Sequence, residues 1–318
     1  MLQLSFLFAC GAPAQDANTD EETEVIWQEG SELELPADSM EVPLAAAPVP
    51  TTLMPEASGV KVYSNQNAAV DASHLDDGYI MVKYTGTSTA AKKVIVTGPS
   101  KVRYTYDLNS NGSYEVFPLS DGSGKYTVGI YQNVSGTKYS TVYSTFLDVA
   151  LKNEYAPFLL PNQFVNYTAD SAVVKKAAEL TAGETDTLKK IDKVYTYVIK
   201  NISYDTEKAK TVQSGYLPNV DAILSSGKGI CFDYAAVMTA MLRSQGIPTK
   251  LVVGYSGKAY HAWINTWSEE SGWVEGVIYF DGTTWKLMDP TYASSGNSSK
   301  AIMKYIGDGA NYTAKYLY

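Results

Sequence analysis

The sequence predicts two folded units in series, an all-β sandwich over residues 58–150 and an α+β domain over 151–318. Three observations predict this. Between residues 58 and 150, runs rich in Val, Ile, Tyr and Thr recur at intervals of roughly 8 to 14 residues, broken by Gly, Asn, Asp and Ser. From about residue 170 apolar residues fall at helical spacing instead. After Pro248 the pattern returns to strands, and helices followed by an antiparallel sheet define an α+β unit. With 318 residues, 45% of them hydrophobic, the chain can bury a core in each.

The N-terminal part is different in kind. The net charge of −9 is concentrated there: the first 60 residues hold eleven acidic residues and no Lys or Arg, so the rest is nearly neutral. Residues 1–9 read as a signal-peptide remnant, an apolar run ending in Leu7-Phe8-Ala9 before Cys10. This resembles the end of a bacterial lipoprotein signal, which implies lipidation at Cys10 and an exported, surface-tethered protein. Cleavage after "APA" at 12–14, giving a secreted soluble protein, is the alternative. Residues 10–57, rich in Ala, Pro, Thr, Glu and Asp, read as a disordered acidic linker. No basic patch argues for nucleic acid, and any membrane contact is expected through the N-terminal lipid alone. The oligomeric state is left open.

In the first folded unit "DGYIMVKYTG" sets Ile80, Val82 and Tyr84 on one side of a strand. "KVIVTG", "VRYTYDL", "SYEVFPL", "GKYTVGIYQNV" and "KYSTVYSTFLDV" follow, predicting an immunoglobulin-like sandwich of about seven strands. "DLNSNG" at 107–112 matches the first half of a calcium loop. Its twelfth position is Pro118, where a bidentate Glu is needed, so it reads as a hairpin loop. The many tyrosines read as strand packing rather than a polysaccharide-binding face.

The second unit opens with three helices, "SAVVKKAAELT", "TDTLKKIDKVYTYVIKNI" and "NVDAILSS". In the longest, Leu188, Ile191, Tyr195, Val198 and Ile202 share a face. "FDYAAVMTAMLRSQG" is a fourth, ended by Gly246 and Pro248. "TKLVVGYS", "YHAWINTW", "VEGVIYF" and "WKLMDPTY" are strands, with "DGTT" as the last turn.

Three residues in this unit suggest chemistry. Cys231 follows Gly227 and Gly229 and opens the fourth helix, where the helix end stabilises a thiolate and backbone N–H groups can hold an oxyanion. Its alternative is a core cysteine on the face of Ala235, Met238 and Leu242. His261, one of two histidines with His74, shares a strand face with Trp263 and Asn265 and could serve as the base. Asp289 ends an apolar strand before Pro290 and could orient the imidazole; Asp281 is the rival, already suited to its "DG" turn. One internal Cys and two His are too few for a zinc site built from His and Cys, so neither metal nor cofactor is expected.

Taken together, "GICFDYAAVMTAMLRSQGIPTKLVVGY", "YHAWINTW" and "WKLMDPTY" resemble the transglutaminase-like superfamily of papain-like cysteine enzymes, over residues 170–295. The resemblance implies a papain-like core with Cys231 as nucleophile, His261 as general base and acid, and Asp289 as orienter. Asp233 and Tyr234 match the acidic-aromatic pair that follows the family's cysteine, and structural roles are expected for both. Tyr204 and Tyr216 are candidates for the second oxyanion donor. The implied reaction is acyl transfer through a thioester, resolved by water in a peptidase or amidase, or by an amine in a crosslinking transferase. The expected substrate is extracellular peptide or protein, cell-wall peptide included. The alternative is an inactive binding or scaffold module at the cell surface.

Overall fold

The computed structural model describes residues 52–109, 111–269, 272–274, 278–280, 285–287 and 312–318, and only the backbone of 274, 278–280 and 285–287. The first unit has eight strands rather than about seven: β1 (Val62–Ser64), β2 (Ala68–Asp71), β3 (Tyr79–Tyr84), β4 (Lys92–Thr97), β5 (Arg103–Leu108), β6 (Glu115–Pro118), β7 (Gly124–Ser135) and β8 (Lys138–Val149). The additional pair, β1 and β2, is too short to show alternation in sequence. Two antiparallel four-stranded sheets result, in the orders β1-β2-β3-β6 and β5-β4-β7-β8. Alternation holds where it was legible: Val94 and Val96 of β4 and Tyr104 and Tyr106 of β5 point inward.

The "DLNSNG" loop is a turn but not a hairpin loop. It joins β5, an edge of one sheet, to β6, an edge of the other. Asn109 and Asn111 accept backbone N–H bonds from Asn111 and Ser113, and the Asp107 carboxylate pairs with Lys93. A sequence motif distinguishes a turn from a strand, but not which sheet the next strand joins.

The second unit contains α1 (Ala172–Thr181), α2 (Thr187–Asn201), β9 (Ser203–Tyr204), α3 (Thr206–Thr211), α4 (Val220–Ser226), β10 (Lys228–Gly229) and α5 (Cys231–Ser244). Then come β11 (Thr249–Ser256), β12 (Ala259–Ser268), β13 (Gly272–Val274), β14 (Ile278–Phe280), β15 (Trp285–Leu287) and β16 (Tyr312–Leu317). Three of the described helices start at polar side chains that cap them. Asp186 accepts from the Leu188 and Lys189 N–H groups, Asp205 from Lys208 and Asn219 from Ala222. Strands β13-β12-β11-β16 form an antiparallel sheet, and β14 pairs with β15. The run read as one strand, "VEGVIYF", ends β13 at Val274 and supplies β14 from Ile278. The "DGTT" turn lies outside the described residues, as do the signal and nearly all of the linker.

Helix α5 is central. All 14 of its residues are buried, and it packs on α1, α2, α4, β11 and β12. A helix apolar all round requires cover on every side. Near its C-terminal end Arg243 is 1% exposed. Its Nε and Nη2 donate to the Thr249 carbonyl at 2.9 and 2.7 Å, Nη1 to Leu160 at 2.6 Å and Nη2 to Tyr318 at 2.6 Å. Burial brings its guanidinium down to about 10. A carbonyl cage supplies what a buried cation otherwise lacks.

The two units share one apolar core, which runs from Val94 and Tyr106 in the sandwich to Cys231 and Val253. The joint is aromatic. Tyr318 packs against Tyr104, Tyr106 and Phe164 with ring centroids 5.7, 6.0 and 4.2 Å away, and Phe164 lies 5.9 Å from Phe232. The connecting segment also adheres to the sandwich. Gln163 accepts from the Asp107 N–H and donates to its carbonyl, and Leu160 covers Tyr79 and Met81 on the outer face of β3.

Two predictions follow from this packing. Arg243→Met removes the guanidinium donors from three buried carbonyls, of which Tyr318 keeps the Leu251 N–H, and is expected to cost about 3–5 kcal/mol in urea unfolding. Burial pushes Tyr104 up to about 12 and Tyr106 and Tyr318 well above their ordinary value. The folded chain therefore holds protons that unfolded tyrosines release near pH 10, and stability falls as pH rises above that point. Melting temperature should drop from about pH 10 upward, with a subset of tyrosines ionising only as the protein unfolds, read by ultraviolet absorbance.

Candidate active site

Cys231 is the first residue of α5 and 1% exposed. The chain reaches it through a tightly specified approach. Gly227 closes α4 in the left-handed region, at φ 62°. β10 then pairs in parallel with β9, setting Gly229 opposite Tyr204. The Ser203 N–H donates to Gly227 and the Asp205 N–H to Gly229, both at 2.9 Å. A side chain at Gly229 would put its Cβ 2.7 Å from that of Asp233. The glycines before the cysteine thus stop one helix and allow the next to begin against the turn.

Asp233 secures the first turn of α5. It is fully buried, and Oδ2 accepts the Ile230 N–H at 2.9 Å, while its own N–H donates to the Ile230 carbonyl at 2.8 Å. Oδ1 accepts the Tyr216 hydroxyl at 2.6 Å, and Lys208 Nζ lies 2.5 Å from Oδ2. Lys208 also donates to the Tyr216 hydroxyl at 2.6 Å and sits 4.3 Å from the centre of its ring. Burial, followed by the hydrogen bond to Asp233, holds the Tyr216 phenol well above its ordinary value. Tyr234 donates to the Ile202 carbonyl at 2.5 Å, pinning α5 to the end of α2. The acidic-aromatic pair thus holds the first turn of α5 in place.

His261 is the third residue of β12, opposite Gly254 of β11, and 2% exposed. It shares its strand side with Trp263 as the alternation predicts, their ring centroids 6.4 Å apart; Tyr312 of β16 is 6.3 Å from His261 and 5.0 Å from Trp263. α5 packs directly on β12, so the cysteine and the histidine sit on abutting elements. Burial raises the phenol of the neighbouring Tyr260, with smaller contributions from Tyr316, Tyr255 and the Cys231 thiol.

The remaining candidates divide. Tyr204 is half-buried beside Gly229, two residues before the thiol. The Tyr216 hydroxyl proton is committed to Asp233, which removes it as an oxyanion donor in this arrangement. Asp289 and its rival Asp281 lie outside the described residues, as does Cys10. Among the described residues no group of three or more His, Cys, Asp and Glu gathers as a metal site. Sequence reasoning missed Lys208, which meets Asp233 across 25 residues with no motif to mark it.

A cysteine opening a buried helix, with a histidine on an antiparallel strand packed against that helix, is consistent with a transglutaminase-like core. Residues 174–276 match the model of the transglutaminase-like superfamily. It is 30% identical over 86 residues to a protein-glutamine gamma-glutamyltransferase of Pseudomonas aeruginosa, over 23% of this chain and 11% of that protein. It is 25% identical over 192 residues to an uncharacterised Bacillus subtilis protein, YebA, over 52% of this chain and 26% of that protein. The chain thus spans about a tenth and a quarter of the length of these relatives. A solved structure from Cytophaga hutchinsonii, described as a candidate cysteine protease, superposes with a TM-score of 0.37 at 13% identity, covering 81% of this chain and 74% of that one.

The close approach at Gly229 is testable. Gly229→Ala should cost about 1–3 kcal/mol in thermal or urea unfolding, because the added methyl meets Asp233 and the turn has no slack.

Proposed function

We propose that the protein is a cysteine-dependent acyl-transfer enzyme acting on amide bonds of peptide or protein. The observation that carries this is Cys231 at the first position of α5, on a turn that Asp233 fixes through the preceding residue's N–H rather than through its own. The Cys231 thiolate attacks the carbonyl carbon, and charge develops on the carbonyl oxygen near the helix end. The Cys231 N–H is one donor to that oxygen in this reading, and Tyr204, beside Gly229, is the candidate second. Collapse breaks the carbon–nitrogen bond; His261 gives its proton to the leaving amine, and a thioester remains. Water or a second amine then attacks the thioester, His261 takes its proton, and the thiolate leaves. Asp289 is assigned the orientation of His261.

The name of the Pseudomonas relative supports the amine-transfer branch; the triad serves hydrolysis equally. The strand order of the first unit, with β4 and β5 in the sheet of β7 and β8, supports an immunoglobulin-like sandwich. The segment before Cys10 supports export with lipidation at that residue, and hence an extracellular peptide or protein substrate.

Replacing Cys10 by Ser leaves Cys231 as the single thiol of the full chain. Its alkylation rate should rise at a pH well below the ~8.5 of an unperturbed thiol, and His261→Ala should abolish that low-pH limb. A thiol inert until unfolding would instead support the inactive scaffold. Release of amine from a peptide substrate, with and without a primary amine acceptor, separates hydrolysis from transfer.

A further inference from the structure

The first turn of α5 contains a contradiction. The helix end favours a thiolate at Cys231. Asp233, two residues on and fully buried, opposes one, because like charges repel strongly where water is excluded. Lys208 meets this carboxylate from a separate element, α3, with Nζ 2.5 Å from Oδ2 and its side chain 26% exposed. Capping does not require the cation, since the Ile230 N–H and the Tyr216 hydroxyl already give each carboxylate oxygen a donor.

We propose that Lys208 is a positioning residue for the reaction, cancelling the Asp233 charge so that the Cys231 thiolate forms near neutral pH. The assignment rests on Cys231 being the nucleophile. Other titratable groups lie on the elements around the turn: Asp205 at the start of α3, Tyr204 on β9, Lys228 on β10, Tyr195 on α2, Asp221 on α4, Tyr260 and His261 on β12, Tyr255 on β11, and Tyr316 and Tyr318 on β16. Asp221 is engaged with the Val173 N–H at 3.0 Å. Burial keeps Tyr216, Tyr260 and Tyr318 protonated through the neutral range. Lys208 and Asp233 are the charged side chains bonded to each other at the first turn of α5.

The test is the pH dependence of iodoacetamide alkylation in the full chain carrying Cys10→Ser. Lys208→Met should raise the midpoint by on the order of one pH unit. Asp233→Asn keeps an acceptor for the Ile230 N–H and should lower it. The double variant should return close to the parent, and Lys208→Arg should match the parent. Opposite shifts from the two single variants are what a purely mechanical clamp does not produce; shifts in one direction, or unmoved midpoints, overturn the assignment. If Lys208→Met does not fold, Asp233→Asn decides: a lower midpoint supports the assignment and an unchanged one ends it. A parent thiol that is inert, or reactive without His261, removes the nucleophile reading and this assignment together. A reactive, His261-dependent parent with unmoved Lys208 and Asp233 variants removes the assignment alone.

Discussion

The guanidinium of Arg243, buried among carbonyls, holds the molecule in register. One side chain joins three places far apart in sequence: the segment leaving the sandwich at Leu160, the entry to β11 at Thr249, and Tyr318 at the end of β16. Burying a cation is costly unless its donors are met. Each carbonyl is therefore held where the guanidinium fork reaches, and α5 is fixed relative to the sheet and to the first unit at once. The aromatic seam around Tyr318 and Phe164 fills the space between these anchor points. The sandwich is part of the same core as the helix that carries the cysteine, rather than a detached module.

The opposite end of that helix is fixed by different physics. Where Arg243 gathers carbonyls, Asp233 gathers donors from Ile230, Tyr216 and Lys208. Both ends of α5 are thus polar, buried and satisfied, while the residues between are mostly apolar, with Thr239 the polar exception. The helix has little freedom to rotate or slide, and a thiol at its first position inherits that rigidity. In the proposed reading, this is the condition under which helix-end electrostatics and positioning act on Cys231 without reorganisation during the reaction.

Several site features were legible before any coordinates. Gly227 and Gly229 marked the break before Cys231, the spacing of Leu188 to Ile202 marked α2, and alternation set His261 and Trp263 on one strand side. These rest on local rules, glycine conformation and the 3.6- and 2-residue periods, which act within a few residues. Strands β9, β10 and β16 and helix α3 were not legible. They are two to six residues long or lack alternation, and they exist because a distant partner pairs with them. The committed Tyr216 hydroxyl follows the same logic, since only its approach to Asp233 removes it from the oxyanion candidates.

The sequence by itself determined the order of an all-β unit before an α+β unit, the helix that Cys231 opens and the strand that carries His261, because short-range periodicity and turn chemistry are written in neighbouring residues. Tertiary structure alone decided that eight strands divide four and four, that the two units share one core, and that Lys208 stands against Asp233. Those outcomes depend on contacts between residues tens of positions apart, chosen by burial and charge satisfaction, which no local pattern encodes.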